Sequence, residues 1–242
     1  MSLLTVDSLD ARHGLLQAVR GVSLEVAEGD VVALVGANGA GKTTMLRSLA
    51  GAHQPSAGTV VFDGEDVTRV AAFRRVRRGI ALVPEGRRLF PGLTVEENLQ
   101  LAAAARREGP WNVESVIDAF PLLKPLRHKH ASTLSGGEQQ ATAIGRGLMT
   151  NPRLLLLDEV SLGLAPAAVD DVYRSLDKLI ESGTTIILVE QDLTRAMKVA
   201  TRIACMLEGR IVLEGKPSEL TREQVTQAFF GLRGGASNGG SA

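Results

Sequence analysis

Cysteine pairs, long apolar runs and net charge are what this 242-residue sequence lacks. With one cysteine, Cys205, an internal disulfide is excluded, and the apolar residues around it predict a buried, unreactive thiol. The longest apolar runs are about five residues, far short of the roughly 18 that a membrane-spanning helix needs. The first residues lack the apolar segment of a secretory signal. These absences favour a soluble, intracellular protein and leave docking onto a membrane protein open.

The charges balance, because 27 lysines and arginines face 27 aspartates and glutamates. This balance argues against a dominant electrostatic attraction to nucleic acid or anionic lipid. Basic residues do cluster within 69–78, where we expect a solvated helix face rather than a nucleic-acid patch. The cluster consists of Arg69, Arg74, Arg75, Arg77 and Arg78.

What the sequence does contain is a glycine-rich stretch between a predicted strand, 31–35, and a predicted helix that runs on from Met45. Such a turn points backbone N–H groups and the positive end of a helix dipole at one anion. Lys42 would reach terminal phosphates and the Thr43 hydroxyl would ligate Mg²⁺, as in the Walker A pattern for a nucleoside triphosphate. The predicted ATP-binding residues of the stretch are Gly36, Asn38, Gly39, Ala40, Gly41, Lys42, Thr43 and Thr44.

A second feature is an apolar strand, 154–157, that ends in the two carboxylates Asp158 and Glu159. Ligands of α/β sheets bind beyond the carboxyl ends of the strands, so both side chains are expected near the glycine-rich stretch. Asp158 would hold Mg²⁺, and Glu159 would orient or deprotonate an attacking water. By itself the pair is also compatible with a plain polar strand end.

A third feature is the run Leu134-Ser135-Gly136-Gly137-Glu138. Ser135 and Glu138 have the spacing of a capping box that opens a helix. Two glycines in the first turn cost that helix roughly 1 kcal/mol each relative to alanine, so a helix alone does not explain them. Bare N–H groups at a helix start form an anion site. The sequence therefore predicts a second phosphate-binding surface, one that would serve a nucleotide held by another subunit.

The remaining pattern predicts an α/β fold with a mostly parallel sheet. Residues 3–26 alternate as in an antiparallel sheet, and strands and helices alternate after residue 150. We expect a single domain, 1–232, and a disordered tail, 233–242. Within the domain, 1–93 and 151–232 would form the α/β core with an antiparallel β-subdomain, and 94–150 an inserted helical subdomain.

The order of phosphate loop, Ser-Gly-Gly-Glu run and Asp-Glu strand is similar to that of the ATP-binding cassette (ABC) ATPases, which are P-loop NTPases. The resemblance covers about 3–232. It implies a head-to-tail dimer in which two ATP molecules lie between the phosphate loop of one subunit and the signature run of the other. In that reading Ser135, Gly136, Gly137 and Glu138 contact the partner's ATP, and ATP and Mg²⁺ are the cofactors.

The resemblance also implies roles for three single positions. Glu85 stands where the family has a loop residue, usually glutamine, that contacts Mg²⁺ and couples to the membrane subunit. His13 stands at the position of the aromatic residue that stacks on adenine. Gln191 replaces the switch histidine and so joins Glu159 among the predicted catalytic residues. The family's usual aspartate after the catalytic glutamate falls on Ala165.

Three segments, 83–87, 161–166 and 189–191, resemble one branch of the family, the ATP-binding subunits of branched-chain amino acid importers. Two different ATPases pair in those systems, and this chain looks like the second type. The implied partners are a second ABC ATPase, transmembrane permease subunits and, indirectly, a solute-binding protein, with no nucleic acid. The implied location is the cytoplasmic face of the cell membrane, as a peripheral subunit.

Three alternatives stay open at this point. The chain could clamp ATP with little hydrolysis of its own, because Gln191 and Ala165 depart from the family pattern. Related importers of amides or urea share much of the same pattern. A non-transport ABC ATPase is disfavoured because the resemblance to that class brings long insertions or two fused cassettes.

Overall fold

The computed structural model describes residues 2–105, 107–181 and 183–232, so the tail predicted at 233–242 lies outside the described residues. Ten strands and eight α-helices follow one another in this part of the chain. The strands are β1 (Ser2–His13), β2 (Leu16–Ala27), β3 (Val31–Val35), β4 (Ala57–Phe62), β5 (Glu65–Asp66), β6 (Ile80–Val83), β7 (Leu154–Asp158), β8 (Thr185–Glu190), β9 (Arg202–Leu207) and β10 (Arg210–Gly215). The helices are α1 (Lys42–Leu49), α2 (Ala72–Arg78), α3 (Val95–Ala102), α4 (Val113–Ala119), α5 (Gly136–Leu148), α6 (Pro166–Glu181), α7 (Leu193–Val199) and α8 (Arg222–Phe230).

One sheet has the strand order β10-β9-β3-β8-β7-β6, and only its β10–β9 pair is antiparallel. Strands β3, β7 and β8 are buried along their whole length, as expected for parallel strands covered on both faces. Their carboxyl ends therefore meet at one edge, where Val35 pairs with Glu190 and Asp158 with Val189. The predicted α/β fold with a mostly parallel sheet is confirmed.

A separate four-stranded antiparallel sheet has the order β2-β1-β4-β5. One of its faces packs on the core that α1 also joins, through residues such as Leu4, Leu24 and Leu46. The other face is exposed, which produces the alternation seen in the sequence and confirms the predicted antiparallel strands. This sheet places His13, at the end of β1, beside the start of α1.

Residues 94–150 contain α3, α4 and α5 together with short 3₁₀ helices. The run Thr94-Val95-Glu96-Glu97 predicts a capping box, which is present and opens α3. The same pattern predicts a helix to about Arg107, which is wrong, because α3 ends at Ala102 and passes into a 3₁₀ turn. Pro121 and Pro125 predict an interruption of the helical segment 112–130, and indeed α4 stops before Pro121 and the segment that follows is 3₁₀ rather than α.

The prediction that the arginines of 69–78 all lie on a solvated face was wrong for Arg75. It is completely buried on α2, whereas the other four arginines are exposed. Its guanidinium donates hydrogen bonds to the carbonyls of Ser48 and Leu49 at the end of α1, and to those of Thr68 and Val70. Burial lowers the pKa of Arg75 to about 10. Arg75 thus caps the helix that follows the glycine-rich stretch.

Two expectations from composition can be compared with the structure. Cys205 is buried on β9, as predicted, and desolvation raises the pKa of its thiol to about 11, which keeps it protonated at neutral pH. None of the helices within the described ranges is long and apolar enough to cross a membrane.

Candidate active site

The glycine-rich stretch forms a loop between β3 and α1, at the carboxyl edge of the parallel sheet. Gly36 and Gly41 have φ values of 157° and 101°, and a Cβ at these positions would overlap the carbonyl oxygens of Met206 and Ala18. Only glycine fits both places. Gly41 also caps α1 without a side-chain hydrogen bond, so the first N–H groups of the helix stay free to bind an anion.

Lys42 is buried on the inner side of this loop. Its ammonium donates to the carbonyls of Gly36 at 2.7 Å and Ala37 at 3.0 Å, and its Nζ lies 3.7 Å from Glu159 Oε1. Burial lowers the pKa of Lys42, while the nearby carboxylates of Glu159 and Asp158 oppose that shift. The loop thus holds a cation next to the free N–H groups of α1, which is the arrangement that a polyphosphate requires.

Asp158 ends β7 and is completely buried beside Thr43, whose hydroxyl donates to Asp158 Oδ1 at 2.9 Å. The other oxygen, Oδ2, is buried and has no hydrogen-bond partner among the described residues. Desolvation raises the pKa of Asp158, and the charge of Glu159 adds to that rise. A buried carboxylate oxygen without a hydrogen-bond partner and a neighbouring hydroxyl are together suitable ligands for a hard divalent cation. Thr43 and Asp158 therefore fit Mg²⁺.

Glu159 follows β7 in a left-handed backbone conformation with φ 49°, which is uncommon outside glycine. Its N–H donates to the carbonyl of Val189, and its carboxylate points between Lys42 and Gln191. The Gln191 side-chain amide donates to Glu159 Oε2 at 2.7 Å. The structure thus brings Lys42 together with Glu159 and Gln191, both of which lie more than a hundred positions later in the sequence.

His13 lies on the other side of the loop, with Nε2 3.1 Å from Thr44 Oγ1. Its ring centroid is 4.6 Å from that of His53, and the two rings are inclined by 45°. A cleft of about 230 Å³ joins His13 to Asn38, Lys42 and Glu159. An apolar side chain, Leu16, lines the same cleft, so the base of a nucleotide with its phosphates on the loop would meet a stacking surface here.

Glu85 is exposed in the segment 84–94, which joins β6 to α3 and is called the connecting loop below. It lies near enough to Asp158 for its negative charge to contribute to the raised pKa of that carboxyl. Two arginines of this loop, Arg87 and Arg88, have left-handed backbones with φ 63° and 51°. Arg146 of α5 donates to both of their carbonyls, at 3.1 Å and 2.8 Å. The connecting loop is thereby tied to α5.

The signature run forms the start of α5 with the predicted capping box. The Ser135 N–H donates to the Glu138 carboxylate at 2.6 Å, and the Glu138 N–H donates to the Ser135 hydroxyl at 3.4 Å. A Cβ on Gly137 would lie 2.7 Å from that of Ala168, and one on Gly136 would lie 3.2 Å from Arg87. The signature thus packs against α6 and the connecting loop. Within the described residues, no hydrogen bond or ion pair joins the signature to the phosphate loop of the same chain.

Glu190, Tyr173 and Ser161 form a polar cluster behind Glu159 that sequence reasoning missed. The Glu190 carboxylate is buried and accepts hydrogen bonds from the hydroxyls of Ser161 and Tyr173. One signal was available in the sequence, a charged residue that ends the otherwise apolar run 186–189. A charge at the end of a buried strand needs partners, but the sequence does not say which residues supply them.

The family model described as ABC transporter matches residues 19–161. The chain is 42% identical to the high-affinity branched-chain amino acid transport ATP-binding protein BraG of Pseudomonas aeruginosa over 232 residues, 95% of this chain and 100% of BraG. It is 32% identical over 249 residues to BraF of the same organism, a protein of the same description, with 95% of this chain and 98% of BraF covered.

A solved structure gives the same result for the fold. It is the dimeric post-hydrolysis state of the ATP-binding cassette MJ0796 bound to ADP and Pi. It aligns with a TM-score of 0.78 at 26% identity and covers 88% of this chain and 98% of that one. The phosphate loop, signature and carboxylate strand described above therefore lie in a fold that is known to hold a hydrolysed nucleotide.

Proposed function

This chain belongs to the ABC transporter family of ATP-binding proteins and is an ATPase, and we propose that it powers an importer of branched-chain amino acids. The substrate class rests on the 42% identity to BraG over the full length of that protein. We propose that residues 1–232 form one domain, in which 94–150 is a helical subdomain that carries the signature. We assign the chain to the second type of the two paired ATPases because it has a glutamine, Gln191, at the switch position.

The observation that supports hydrolysis at this chain's own site is the position of Glu159. Its carboxylate lies against Lys42 and Gln191, at the carboxyl edge of the sheet and beside the phosphate loop. A carboxylate held between a cation and an amide donor is fixed in direction, as a general base must be. We therefore assign Glu159 as the residue that orients and deprotonates the attacking water.

The other side chains have binding and orienting roles in this proposal. The N–H groups at the start of α1 and the Lys42 ammonium hold the phosphates and stabilise the charge that develops on the phosphoryl oxygens. Gln191 holds the Glu159 carboxylate in place through its side-chain amide. We assign Thr43, Asp158 and Glu85 to Mg²⁺, which when bound would supply positive charge beside the phosphate oxygens.

We infer a partner ATPase because, in the ranges that the structure describes, the two phosphate-binding surfaces of one chain are not joined to each other. The signature lies on α5, away from the phosphate loop, and this separation supports a head-to-tail pairing with a second ABC ATPase. His13 is assigned to the adenine of the ATP held on this chain. Ser135, Gly136, Gly137 and Glu138 are assigned to the phosphates of the partner's ATP, where free N–H groups at a helix start fit an anion.

A groove beside the connecting loop supports a docking site for a permease subunit. It has a volume of about 390 Å³ and is lined by exposed apolar residues, Phe90 and Leu101, and by Arg146. Because Arg146 also holds the backbone of the connecting loop, a segment seated in this groove would act on the loop that carries Glu85. We propose that the chain is a peripheral subunit on the cytoplasmic face of the membrane, and that a solute-binding protein delivers the amino acid.

The test is the ATPase activity of the purified chain, alone and mixed with its partner ATPase, with Glu159→Gln as the variant. We expect activity to rise on mixing and to fall at least about 100-fold at this chain's site in the variant. Glu219→Gln, a change at an exposed residue that does not line the cleft beside the phosphate loop, is the control and should have no effect. Activity indifferent to Glu159→Gln would instead identify this chain as an ATP clamp whose partner does the chemistry.

A second readout of the same preparation is the single-turnover rate at each site of the pair. We expect this chain's site to be the slower one, because the neutral amide of Gln191 is a weaker donor than a charged histidine. Equal rates at the two sites would contradict that expectation. Transport of leucine, set against transport of an amide or urea by the assembled importer, tests the substrate class.

A further inference from the structure

Glu190 ends β8 immediately before Gln191, and its side chain is 2% exposed. Its Oε1 accepts a hydrogen bond from the Ser161 hydroxyl at 2.7 Å and one from the Tyr173 hydroxyl at 2.6 Å. Its Oε2 accepts from the backbone N–H of Gln191 at 3.1 Å. One carboxylate thus joins three elements: the end of β8, helix α6 and the segment 159–165 that follows β7, called the carboxylate loop below.

These contacts indicate that the Glu190 carboxylate fixes the positions of the groups that donate to it. Every donor to Glu190 is neutral, and within the described ranges no lysine or arginine lies within ion-pair distance of it. A buried carboxylate with only neutral donors needs several of them in fixed positions, because each lost donor leaves a buried charge less compensated. Tyr173 shows the same coupling, since burial and then the charge of Glu190 raise the pKa of its hydroxyl.

The hydrogen bonds of Glu190 extend to the proposed catalytic carboxylate, Glu159. Glu190 accepts from the Gln191 N–H, and the Gln191 side chain donates in turn to Glu159 Oε2 at 2.7 Å. The other end of the network, Ser161, lies two residues after Glu159 in the carboxylate loop. The network therefore acts on Glu159 from both sides, through the switch residue and through the loop that begins with Glu159 itself.

We propose that Tyr173 and Ser161 are positioning residues for ATP hydrolysis, which act through Glu190 to hold Gln191 and Glu159 in register. This inference rests on the roles proposed above for Glu159 and Gln191. In the described part of the chain, both hydroxyls donate to Glu190, and neither residue lines the cleft beside the phosphate loop. Their loss should lower the rate of the chemical step and leave ATP binding nearly unchanged.

The experiment measures kcat and KM for ATP with Tyr173→Phe in the full-length chain mixed with its partner ATPase. We expect kcat to fall about five-fold and KM to stay within about two-fold, the size expected for one hydrogen bond in a buried network. Ser161→Ala removes the other hydroxyl and should have the same signature. Ser175→Ala is the matched control, because it removes a buried hydroxyl from the same helix that donates only to a backbone carbonyl, that of Asp171.

A double-variant cycle separates positioning from a general loss of packing. Because Gln191 carries one of the two paths from Glu190 to Glu159, Tyr173→Phe should have a smaller effect in a Gln191→Ala background. A five-fold loss in both backgrounds, or a loss in KM alone, would overturn the inference. Gln191→Ala that leaves kcat unchanged would overturn the proposed role of Gln191 and this inference with it. Gln191→Ala that is slow while Tyr173→Phe and Ser161→Ala are normal would overturn the inference only.

Discussion

Helices α1 and α5 both begin in glycine-rich turns whose N–H groups suit an anion, but the side chains within the first turn of the two helices differ. The first residue of α1 is Lys42, whose buried ammonium donates to the loop carbonyls, and no side chain caps the helix. At the start of α5 the capping box is complete, and it places the carboxylate of Glu138 in the first turn. The start of α1 thus suits a polyphosphate, because its N–H groups are uncapped and a cation lies beside them. The start of α5 instead carries the Glu138 carboxylate, which repels a phosphate.

The difference indicates an order of events. In the proposed pairing, we expect ATP to bind first to the phosphate loop, where the cation and the uncapped N–H groups are already in place. We expect the signature to add its contacts only when a second chain brings it close, because the Glu138 carboxylate weakens its binding to phosphate. The proposed pairing would then depend on ATP. The predictions below test this comparison, beginning with the largest effect.

Gly137→Ala should give the largest difference between ATP binding, which uses the phosphate loop, and hydrolysis, which also needs the signature. A Cβ at Gly137 would lie 2.7 Å from the Cβ of Ala168, so α5 or α6 must shift. We expect ATP binding to stay intact and hydrolysis by the pair to fall roughly 10- to 100-fold, because the signature is displaced by a fraction of an ångström or more. Nucleotide binding by fluorescence and steady-state ATPase activity are the measurements. Lys42→Ala should show the opposite order, with ATP binding itself lost.

Gly92→Ala is the matched control for that variant. Nothing lies within 4 Å of a Cβ at Gly92, which is in the connecting-loop region of the same chain. It should leave both binding and hydrolysis unchanged. If Gly137→Ala weakened ATP binding to the isolated chain as much as Lys42→Ala does, the two surfaces would not be separate, and the comparison would fail.

Asp158→Asn should stabilise the fold while it removes Mg²⁺-dependent hydrolysis. The carboxylate is buried with one oxygen unpartnered, whereas asparagine keeps the acceptor for Thr43 and carries no charge. We expect a gain of about 1 kcal/mol in the free energy of unfolding, or roughly 2–4 °C in Tm for a chain of this length. Thermal unfolding without nucleotide is the measurement. A variant less stable than the wild type would show that Asp158 is a structural anion.

The pH dependence of that gain has a definite sign. Burial raises the pKa of Asp158 in the folded chain, so between the unfolded pKa of about 3.9 and the folded pKa the folded state binds more protons. Wild-type stability therefore falls as pH rises through this window, and the asparagine variant lacks that loss. The advantage of Asp158→Asn should be complete above the folded pKa and should shrink as the pH is lowered towards 3.9.

The parts of the site that the sequence predicts are those that depend on spacing along the chain. The phosphate loop, the capping box of α5 and the carboxylates after β7 are each contained in fewer than ten residues, and the structure has all three. The meeting of Asp158 with Thr43 was also predictable, because carboxyl ends of parallel strands share an edge.

What the sequence does not predict depends on contacts between distant segments. Arg75 has the pattern of a solvated helix residue, but the carbonyls that it caps lie 26 and 27 positions earlier, at Leu49 and Ser48. The network of Glu190 joins residues 17 and 29 positions apart across two elements. A pattern of apolar and polar residues carries no information on such pairings, since it reports only the face of one element.

Glu138→Gln tests whether the negative charge at the start of α5 opposes phosphate, and its expected effect is smaller. Glutamine keeps the capping-box geometry but removes the negative charge from the first turn of α5. We expect the ATP concentration for half-maximal hydrolysis by the pair to fall about two- to five-fold at low salt, with less difference at high salt. Glu223→Gln, which removes a charge from the first turn of α8, is the control and should change nothing. An unchanged or raised ATP requirement would show that Glu138 does not oppose the partner's phosphates.

His13→Tyr should give the smallest effect and should act on one surface only. The His13 ring is hydrogen-bonded to the Thr44 hydroxyl and lies beside His53, and the larger ring of tyrosine offers adenine more stacking area. We expect KM for ATP to fall about two- to three-fold, a modest part of what one stacked base contributes. Inhibition by inorganic tripolyphosphate, which has no base, should not change. If tripolyphosphate binding changed by the same factor, the histidine would act on the phosphate loop through Thr44 rather than on the base, and the signature would remain the surface with no contact to adenine at all.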